Sequence, residues 1–172
     1  TKVQELACPG AFCGYDVLAV APTGSGKTLA YGWPAMAVAG AQRSSGKSEG
    51  PVSLIVCPTR ELAEQIYRDL CKFKFLGDRP TVAAVFGGSG KYEMSKALET
   101  SGDVCVATPG RLIELVGDSD LLRSRCVYLA IDEADRMFDM SFHDQLKSIA
   151  AAIRPARQTF MCSATMRGDV ER

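Results

Sequence analysis

"DVLAVAPTGSGKT", residues Asp16 to Thr28, joins a short apolar run to a glycine-rich loop that ends in Lys-Thr. A helical pattern, "LAYGWPAM", follows the loop directly. Glycines let the backbone of such a loop turn so that successive N–H groups face inward, and the N-terminus of the helix adds a partial positive charge. The order of strand, loop and helix therefore predicts a phosphate-binding loop, although Ala21 stands where the common pattern has its first glycine.

The side chains of this loop suit a nucleoside triphosphate. Lys27 would reach the β- and γ-phosphates as a point charge, and the Thr28 hydroxyl would ligate Mg²⁺. The alternative is a Gly/Ser turn that only joins a strand to a helix. It is disfavoured because the Lys-Thr pair lies at the position that phosphate binding requires. The candidate nucleotide-binding residues of the loop are Thr23, Gly24, Ser25, Gly26, Lys27 and Thr28.

Six short apolar runs alternate with helical patterns along the chain. The runs are nearly continuous, which is typical of parallel strands covered on both faces. Apolar residues recur at helical spacing in Glu61 to Phe75 and in His143 to Arg154, so both segments are predicted to be amphipathic helices packed on the sheet. The predicted strands are Asp16 to Ala21, Val52 to Cys57, Thr81 to Phe86, Asp103 to Ala107, Val127 to Asp132 and Gln158 to Ser163.

These elements predict an α/β three-layer sandwich with a mainly parallel sheet, in which ligands bind at the carboxyl ends of the strands. With 172 residues, of which 47% are hydrophobic, the chain is interpreted as one compact domain over residues 1–172. The segment Gly40 to Pro51 is small, polar and without periodicity. It is predicted to be a flexible loop within this domain.

Charge and cysteine usage narrow the classes of function. Lys plus Arg and Asp plus Glu both total 20, so any nucleic-acid surface must be local. The seven cysteines lack a C-x-x-C pair and the chain has one histidine, so they are interpreted as buried free thiols in a reducing compartment, not as disulfides or a zinc site. No apolar run approaches the ~18 residues of a membrane span, and a soluble intracellular protein is expected.

Three carboxylates lie at the end of the predicted fifth strand, in "YLAIDEADRMF", Tyr128 to Phe138. Asp132 is placed to help hold Mg²⁺, and Glu133 would orient and deprotonate the water that attacks the γ-phosphate. Close carboxylates raise one another's pKa, but a divalent cation reverses this effect. The alternative is that the acids only favour a helix N-terminus through its dipole, and the upstream phosphate loop argues against it.

Seven short motifs occur along the chain: "TKVQ" (Thr1 to Gln4), "APTGSGKT" (Ala21 to Thr28), "PTRELA" (Pro58 to Ala63), "GG" (Gly87 and Gly88), "TPGR" (Thr108 to Arg111), "DEAD" (Asp132 to Asp135) and "SAT" (Ser163 to Thr165). By these motifs and their order the chain resembles, from end to end, the first RecA-like domain of a DEAD-box RNA helicase. Ala at position 21 is common in this family. The run "DEADRMFDMSF…IRPARQTFMCSAT" is most similar to the subfamily with "DEADRMLDMGF" and "RPxRQTxMxSAT".

The resemblance implies an ATP-dependent RNA helicase with a RecA-like P-loop fold, in which ATP hydrolysis with Mg²⁺ is coupled to local RNA unwinding or to remodelling of RNA–protein complexes. Lys27 and Glu133 match catalytic residues of the family. Gln4 matches the glutamine that reads the adenine edge, and an aromatic residue of the same family motif would precede Thr1. Adenine recognition is therefore expected to be incomplete in this chain.

The resemblance also assigns residues to the RNA backbone: Pro58, Thr59, Arg60, Gly87, Gly88, Thr108, Pro109, Gly110 and Arg111. Glycines allow close approach of backbone N–H groups to phosphates, and arginines bring charge, so binding is expected to be sequence-tolerant and salt-dependent. The alternative is structural, with Thr59 and Thr108 as helix N-caps, Pro109 at the first helical position and the glycine pair as a turn. Capping and RNA contact are compatible.

The resemblance also implies coupling between the ATP and RNA sites and a second lobe. In the family, Asp135 would bond to Ser163 and Thr165 and link the ATP state to the RNA state. A second RecA-like lobe in cis supplies arginine fingers, which are worth ~10³ to 10⁵ in rate. The 172-residue chain lacks that lobe and is expected to be a monomer that binds nucleotide but hydrolyses ATP negligibly.

Two other classes of function stay open on the residues alone. One is a module that clamps RNA and nucleotide without turnover, which the presence of Lys27, Thr28, Asp132 and Glu133 disfavours. The other is a DNA helicase or related nucleic-acid motor. Gln4 and the last letter of DEAD favour the RNA family over it.

Overall fold

The computed structural model describes residues 1–42, 50–73, 80–88, 90–100, 102–117, 121–139 and 142–165. Within those residues the strands are β1 (Val17–Val20), β2 (Ser53–Val56), β3 (Val82–Val85), β4 (Val104–Ala107), β5 (Tyr128–Ile131) and β6 (Gln158–Ser163). The helices are α1 (Lys2–Phe12), α2 (Lys27–Ala41), α3 (Arg60–Cys71), α4 (Lys91–Thr100), α5 (Pro109–Val116), α6 (Leu121–Arg125), α7 (Ala134–Asp139) and α8 (His143–Ala152).

The six strands form one parallel sheet in the order β1-β6-β5-β2-β4-β3. Each strand coincides with one of the six apolar runs, and all but the last are shorter than predicted by one residue at one or both ends. Because every strand runs in the same direction, all six carboxyl ends lie along one edge. The prediction of a parallel α/β sheet is confirmed.

Helices cover the sheet on both faces, which confirms the three-layer arrangement. One buried cluster joins α1, α2 and α3 to one face, and a second joins α4, α5, α6, α7 and α8 to the other. In α3, for example, Ile66 and Leu70 are fully buried four residues apart, while the Thr59 hydroxyl caps the helix by accepting the Leu62 N–H at 3.3 Å.

The prediction that every strand is covered on both faces is wrong for β1. This strand forms one edge of the sheet, and only Ala19 of its four residues is buried. Leu18 and Val20 are 41% and 42% exposed. They lie on the face of the second cluster, which contains no β1 residue among the part of the chain that the structure describes. An apolar run alone does not distinguish an edge strand from a central one.

The helix and loop predictions hold in part. Helix α3 ends at Cys71, while positions 74 and 75 of the predicted helix lie outside the described residues. Of the predicted loop, Gly40 and Ala41 belong to α2, and residues 43–49 lie outside the described residues. The hydrophobic spacing did not predict α1 or α4 to α7.

All seven cysteines are free thiols, as predicted, and five of them are buried. Cys13 and Cys71 are exposed, so the prediction of burial is wrong for these two. Both lie at the end of a helix, where one side of the chain faces solvent. None of the helices among the described residues is long and apolar enough to cross a membrane.

Candidate functional site

The phosphate loop connects β1 to α2 at the carboxyl edge of the sheet. Gly24 and Gly26 have φ values of +77° and +94°, a conformation that glycine adopts without steric cost. The loop is closed by the Ser25 N–H, which donates to the Pro22 carbonyl at 3.3 Å. Helix α2 begins at Lys27, so the free N–H groups of its first turn lie directly behind the loop.

Lys27 lies inside this loop and is only 9% exposed. Its ammonium group donates to the carbonyl oxygens of Ala21 at 2.5 Å and Pro22 at 3.1 Å. The hydroxyl of Ser25 is buried without a partner among the described residues. A buried cation and an unpaired hydroxyl beside the N-terminus of α2 fit an anionic ligand with several acceptor oxygens.

Gln4 belongs to α1 but lies against the phosphate loop. Its side-chain amide donates to the Gly26 carbonyl at 3.0 Å. A Cβ atom at position 26 would come within 2.6 Å of the same amide nitrogen, so the close approach requires glycine there. The structure thus brings the residue assigned to adenine recognition, 22 positions earlier in the chain, to the loop assigned to the phosphates.

Asp132 follows β5 directly and is 4% exposed. Its Oδ1 accepts the Glu133 N–H at 2.9 Å, and its Oδ2 accepts the Tyr31 hydroxyl at 2.8 Å. Burial raises the pKa of the Asp132 carboxyl, although the two hydrogen bonds and the charge of Lys27 oppose this shift. The carboxylate is thus buried with a fixed orientation.

Sequence reasoning missed Tyr31. The available signal was its spacing from the phosphate-loop lysine: Tyr31 lies four residues after Lys27 in α2, so the two side chains share one face of the helix. That face points toward the end of β5, where Asp132 lies.

Glu133 has an unusual backbone conformation for a residue other than glycine, with φ at +52°. Strained positions of this kind persist only when the surrounding structure holds them, and they cluster at functional sites. Its carboxylate accepts a hydrogen bond from Arg136 at 2.8 Å, and the arginine is 63% exposed. This ion pair was not predicted from the sequence. The sequence feature that indicates this ion pair is the three-residue spacing of Glu133 and Arg136 at the start of α7.

Asp135, in the first turn of α7, is joined to the end of β6. Its Oδ2 accepts the Thr165 hydroxyl at 2.8 Å and the Thr165 N–H at 3.1 Å, while the Ser163 hydroxyl donates to the Thr165 carbonyl at 2.5 Å. Burial alone would raise the pKa of Asp135, but the hydrogen bonds from Thr165 and the Arg136 N–H, with the Ser163 hydroxyl nearby, hold it below its ordinary value. The predicted hydrogen bond to Asp135 is thus made by Thr165, while the Ser163 hydroxyl donates to the Thr165 carbonyl. The DEAD and SAT segments are therefore in direct contact.

One cleft of about 550 Å³ lies between the phosphate loop and the DEAD acids, and neither Gln4 nor Ser25 lines it. A volume of this size suits a small organic ligand or cofactor. Its lining includes Thr23, Gly24, Gly26, Lys27, Thr28, Asp132, Glu133, Asp135 and Arg136. The phosphate loop and the acidic strand end thus face the same space.

The donor set in this cleft fits Mg²⁺ better than a metal held by the protein alone. No group of three or more His, Cys, Asp or Glu side chains placed to hold a metal occurs within the described ranges. The hydroxyl of Thr28 and the carboxylate of Asp132 are hard oxygen donors. Mg²⁺ is usually bound by one or two such groups together with waters and phosphate oxygens.

The segments assigned to RNA lie along the other half of the same edge. Strands β2, β4 and β3 are neighbours, and they lead into the segments that begin at Pro58, Thr108 and Gly87. Arg60 is exposed and its guanidinium lies over Gly88, where a Cβ atom would come within 2.6 Å of it. Gly88 has a φ of +112°, which only glycine adopts readily.

The structural interpretation of these segments also holds in part. The Thr59 side chain caps α3, as predicted. Thr108 occupies the N-cap of α5 with Pro109 at the first helical position, but its side chain makes no capping hydrogen bond. Gly110 follows in the same turn. Arg111 pairs with Glu114 at 2.5 Å and keeps a buried Nε without a partner among the described residues.

A parallel sheet whose first strand enters a helix through a phosphate loop, beside an acidic strand end, defines a P-loop nucleoside-triphosphate-binding domain. The family model described as DEAD/DEAH box helicase matches residues 1–172, and the chain belongs to this family.

Similar proteins agree with this assignment. The chain is 43% identical over 172 residues to the ATP-dependent RNA helicase DDX42 of Homo sapiens, covering all of this chain and 18% of the relative. It is 46% identical over 173 residues to the DEAD-box ATP-dependent RNA helicase 24 of Arabidopsis thaliana, covering all of this chain and 22% of that protein. The chain therefore spans about a fifth of the length of these curated relatives.

A solved structure also supports the fold. The crystal structure of the yeast DEAD-box splicing factor Prp28 matches with a TM-score of 0.86 at 34% sequence identity, over 99% of this chain and 42% of that chain. The prediction of a RecA-like fold is confirmed by this match.

Proposed function

We propose that this chain is the ATP-binding lobe of an ATP-dependent RNA helicase. One observation carries the proposal: the phosphate loop, the DEAD acids and the SAT segment meet at the carboxyl ends of β1, β5 and β6, and the segments matching RNA contacts adjoin them on β2, β4 and β3. The names of the relatives, which are ATP-dependent RNA helicases, support it.

In the nucleotide half, each side chain has a separate task. Lys27 would exchange its two loop carbonyls for the β- and γ-phosphate oxygens of ATP. Thr28 and Asp132 would hold Mg²⁺, which neutralises phosphate charge when bound. Glu133 would orient the attacking water and accept its proton. Gln4, already bonded to the phosphate loop, would read the adenine edge.

In the other half, the proposed ligand is the sugar–phosphate backbone of RNA. Arg60 is an exposed cation next to the Gly87–Gly88 turn, and Thr59 and Thr108 stand at the N-termini of α3 and α5. Helix N-termini and exposed glycine backbone are donors that suit phosphate oxygens. Contacts of this kind carry no base readout, so binding would be tolerant of sequence and weakened by salt.

The direct bond between Asp135 and Thr165, inside the nucleotide half, is the contact through which the ATP state is proposed to be coupled to the RNA state. Productive hydrolysis would also need the second RecA-like lobe in cis, which supplies arginine fingers and the remainder of the RNA groove. Closure of the two lobes on ATP and RNA would bend one RNA strand away from its partner, and product release would reopen them. The lobe alone is expected to bind nucleotide and to turn over ATP negligibly.

A direct test compares binding and turnover in the 172-residue chain. A fluorescent ATP analogue is titrated with and without Mg²⁺, and phosphate release is followed with ATP plus single-stranded RNA. Mg²⁺-dependent binding with no RNA-stimulated turnover is expected. Absence of nucleotide binding would refute the ATP site, and RNA-stimulated turnover would refute the need for a second lobe.

The choice between RNA and DNA needs a protein that carries both lobes. Its phosphate release is measured with matched single-stranded RNA and DNA oligonucleotides. Stimulation by RNA alone is expected, and equal stimulation by DNA would favour a general nucleic-acid motor.

A further inference from the structure

Tyr31 is a fully buried residue of α2 whose hydroxyl reaches the site from within the core. The hydroxyl donates to Oδ2 of Asp132 at 2.8 Å, across 101 positions of sequence. The Thr28 side chain lies next to the same hydroxyl, close enough to oppose the rise in the pKa of Tyr31 that burial and Asp132 cause. Tyr31 therefore stands between the two side chains assigned to Mg²⁺.

We propose that Tyr31 is a positioning residue for the Mg²⁺ site, whose buried hydroxyl fixes the orientation of the Asp132 carboxylate. The inference rests on the proposed function, because it needs Asp132 to hold the cation. It adds a residue whose ring belongs to the core and whose single polar atom belongs to the site.

The ring of Tyr31 is itself held in place. Phe160 packs against it edge-on, with ring centres 6.2 Å apart. The Tyr128 hydroxyl contacts the backbone of Tyr31 and not its ring, since it donates to the backbone carbonyl at 3.0 Å. Tyr128 belongs to β5, the strand that ends at Asp132. The helix that begins at Lys27 and the strand that carries the acid are thus joined by two tyrosine hydroxyls, of which only one contacts the acid.

The hydrogen bond fixes the carboxylate because it acts on the second oxygen. Oδ1 accepts the Glu133 N–H, and this contact alone leaves the position of Oδ2 free to vary. With Oδ2 held by Tyr31, both oxygens have one engaged lone pair and one lone pair available for a cation or its waters. Mutation of a residue that hydrogen-bonds to a metal ligand, without contacting the metal itself, typically lowers metal affinity by 10 to 100-fold.

Phenylalanine in the same place would fill the core equally well. A buried hydroxyl is costly unless it is hydrogen-bonded, and the Tyr31 hydroxyl donates to the carboxylate of the site. The hydroxyl thus serves Asp132 and not the packing of α2 against the sheet.

Tyr31→Phe removes that hydroxyl, and Tyr128→Phe is the matched control, since it removes the other buried hydroxyl without touching Asp132. Binding of a fluorescent ADP analogue to the 172-residue chain is titrated with Mg²⁺ at fixed nucleotide. Tyr31→Phe is expected to raise the Mg²⁺ concentration at half-saturation by roughly 10-fold or more. Nucleotide affinity in EDTA is expected to stay unchanged, and Tyr128→Phe is expected to match the wild type.

A double-mutant cycle separates positioning from a general effect on folding. In an Asp132→Asn background, Tyr31→Phe should shift the Mg²⁺ titration no further, because the oriented carboxylate is already gone. Full additivity of the two changes would overturn the inference, as would an unchanged titration in Tyr31→Phe or an equal shift in Tyr128→Phe.

A second measurement avoids dependence on the stability of Tyr31→Phe. With 3-fluorotyrosine incorporated at position 31 alone, the ¹⁹F resonance of the nucleotide complex should shift when Mg²⁺ is added, and the same label at position 128 should not respond. A silent label at position 31 would contradict the inference. If the unmodified chain binds nucleotide without any dependence on Mg²⁺, both the proposed metal site and this role of Tyr31 fail. If the dependence is present but Tyr31→Phe preserves it, only the role of Tyr31 fails.

Discussion

The two halves of the carboxyl edge are built differently. In the half formed by β1, β6 and β5, the charged groups are buried or already bonded, as with Lys27 inside its loop and Asp132 under Tyr31. In the half formed by β2, β4 and β3, Arg60, Gly87 and Gly88 are exposed. Both halves are proposed to bind phosphates, yet only one of them encloses its ligand.

The difference follows from the ligands. A nucleotide is small, and its hydrolysis requires catalytic groups that are fixed before the reaction, in a site that limits water. An RNA strand must enter from the side and leave at both ends, so its contacts must be open and mainly to the backbone. The bond from Thr165 to Asp135 lies inside the nucleotide half, where it holds α7 against the end of β6.

The largest effect is expected from Glu133→Gln, which tests whether the enclosed half performs chemistry. In a protein with both lobes, ATP hydrolysis should fall roughly 10² to 10⁴-fold, because the amide cannot accept the proton of the attacking water. ATP affinity should be kept. Steady-state phosphate release and equilibrium binding of a fluorescent nucleotide measure the two quantities. Equal turnover in the variant and the wild type would remove Glu133 from this role.

Lys27→Ala should weaken ligand binding in the nucleotide half and leave the RNA half unaffected. Loss of a charge-assisted contact costs about 1.5–3 kcal/mol, so nucleotide affinity should fall roughly 10 to 150-fold. The affinity for single-stranded RNA in the absence of nucleotide should not change. Lys147→Ala, on the exposed side of α8, is the control. A parallel loss of RNA binding would show that the halves are not separable.

Gly88→Ala probes the open half with a smaller effect. The new Cβ would displace the Arg60 guanidinium, and the φ of +112° would be strained at a cost of about 1–3 kcal/mol wherever the arginine moves. Gly87→Ala is the matched control, since nothing lies within 4 Å of a Cβ there. In a protein with both lobes, displacement of Arg60 should lower RNA affinity and reduce its dependence on log salt by about one unit, measured by fluorescence anisotropy. Identical salt slopes in both variants would argue against Arg60 as a phosphate contact.

The smallest effect is expected from Thr165→Val, with Thr165→Ser as the control that keeps the hydroxyl. The pKa of Asp135 is lower in the folded protein than its ordinary value of 3.8, so its hydrogen bonds stabilise the fold above that pH and lose their effect as pH falls through the folded pKa. The free energy of unfolding of the valine variant should be about 1 kcal/mol lower than that of the wild type at pH 7, and this difference should shrink below pH 4. Urea unfolding at several pH values measures it. A loss that is independent of pH would assign the effect to packing.

Much of the fold and of the site was predictable because its signals are local. Apolar runs of five or six residues located all six strands, and the spacing in Gly24 to Thr28 located the phosphate loop. The acids at the end of β5 were predictable for the same reason, since a carboxylate directly after a buried strand is uncommon. Weak periodicity hid α1 and α4, while α5, α6 and α7 have only eight, five and six residues and are too short to show a helical repeat.

The sequence by itself determined the six strands, their direction and the chemistry of the loop, because these depend on residues within a few positions of one another. Only the tertiary structure decided which strands are neighbours. That order places the exposed face of Leu18 and Val20 at the sheet edge and sets Arg60 over Gly88. It also brings Tyr31 to Asp132, 101 positions away, through a contact that no local pattern encodes.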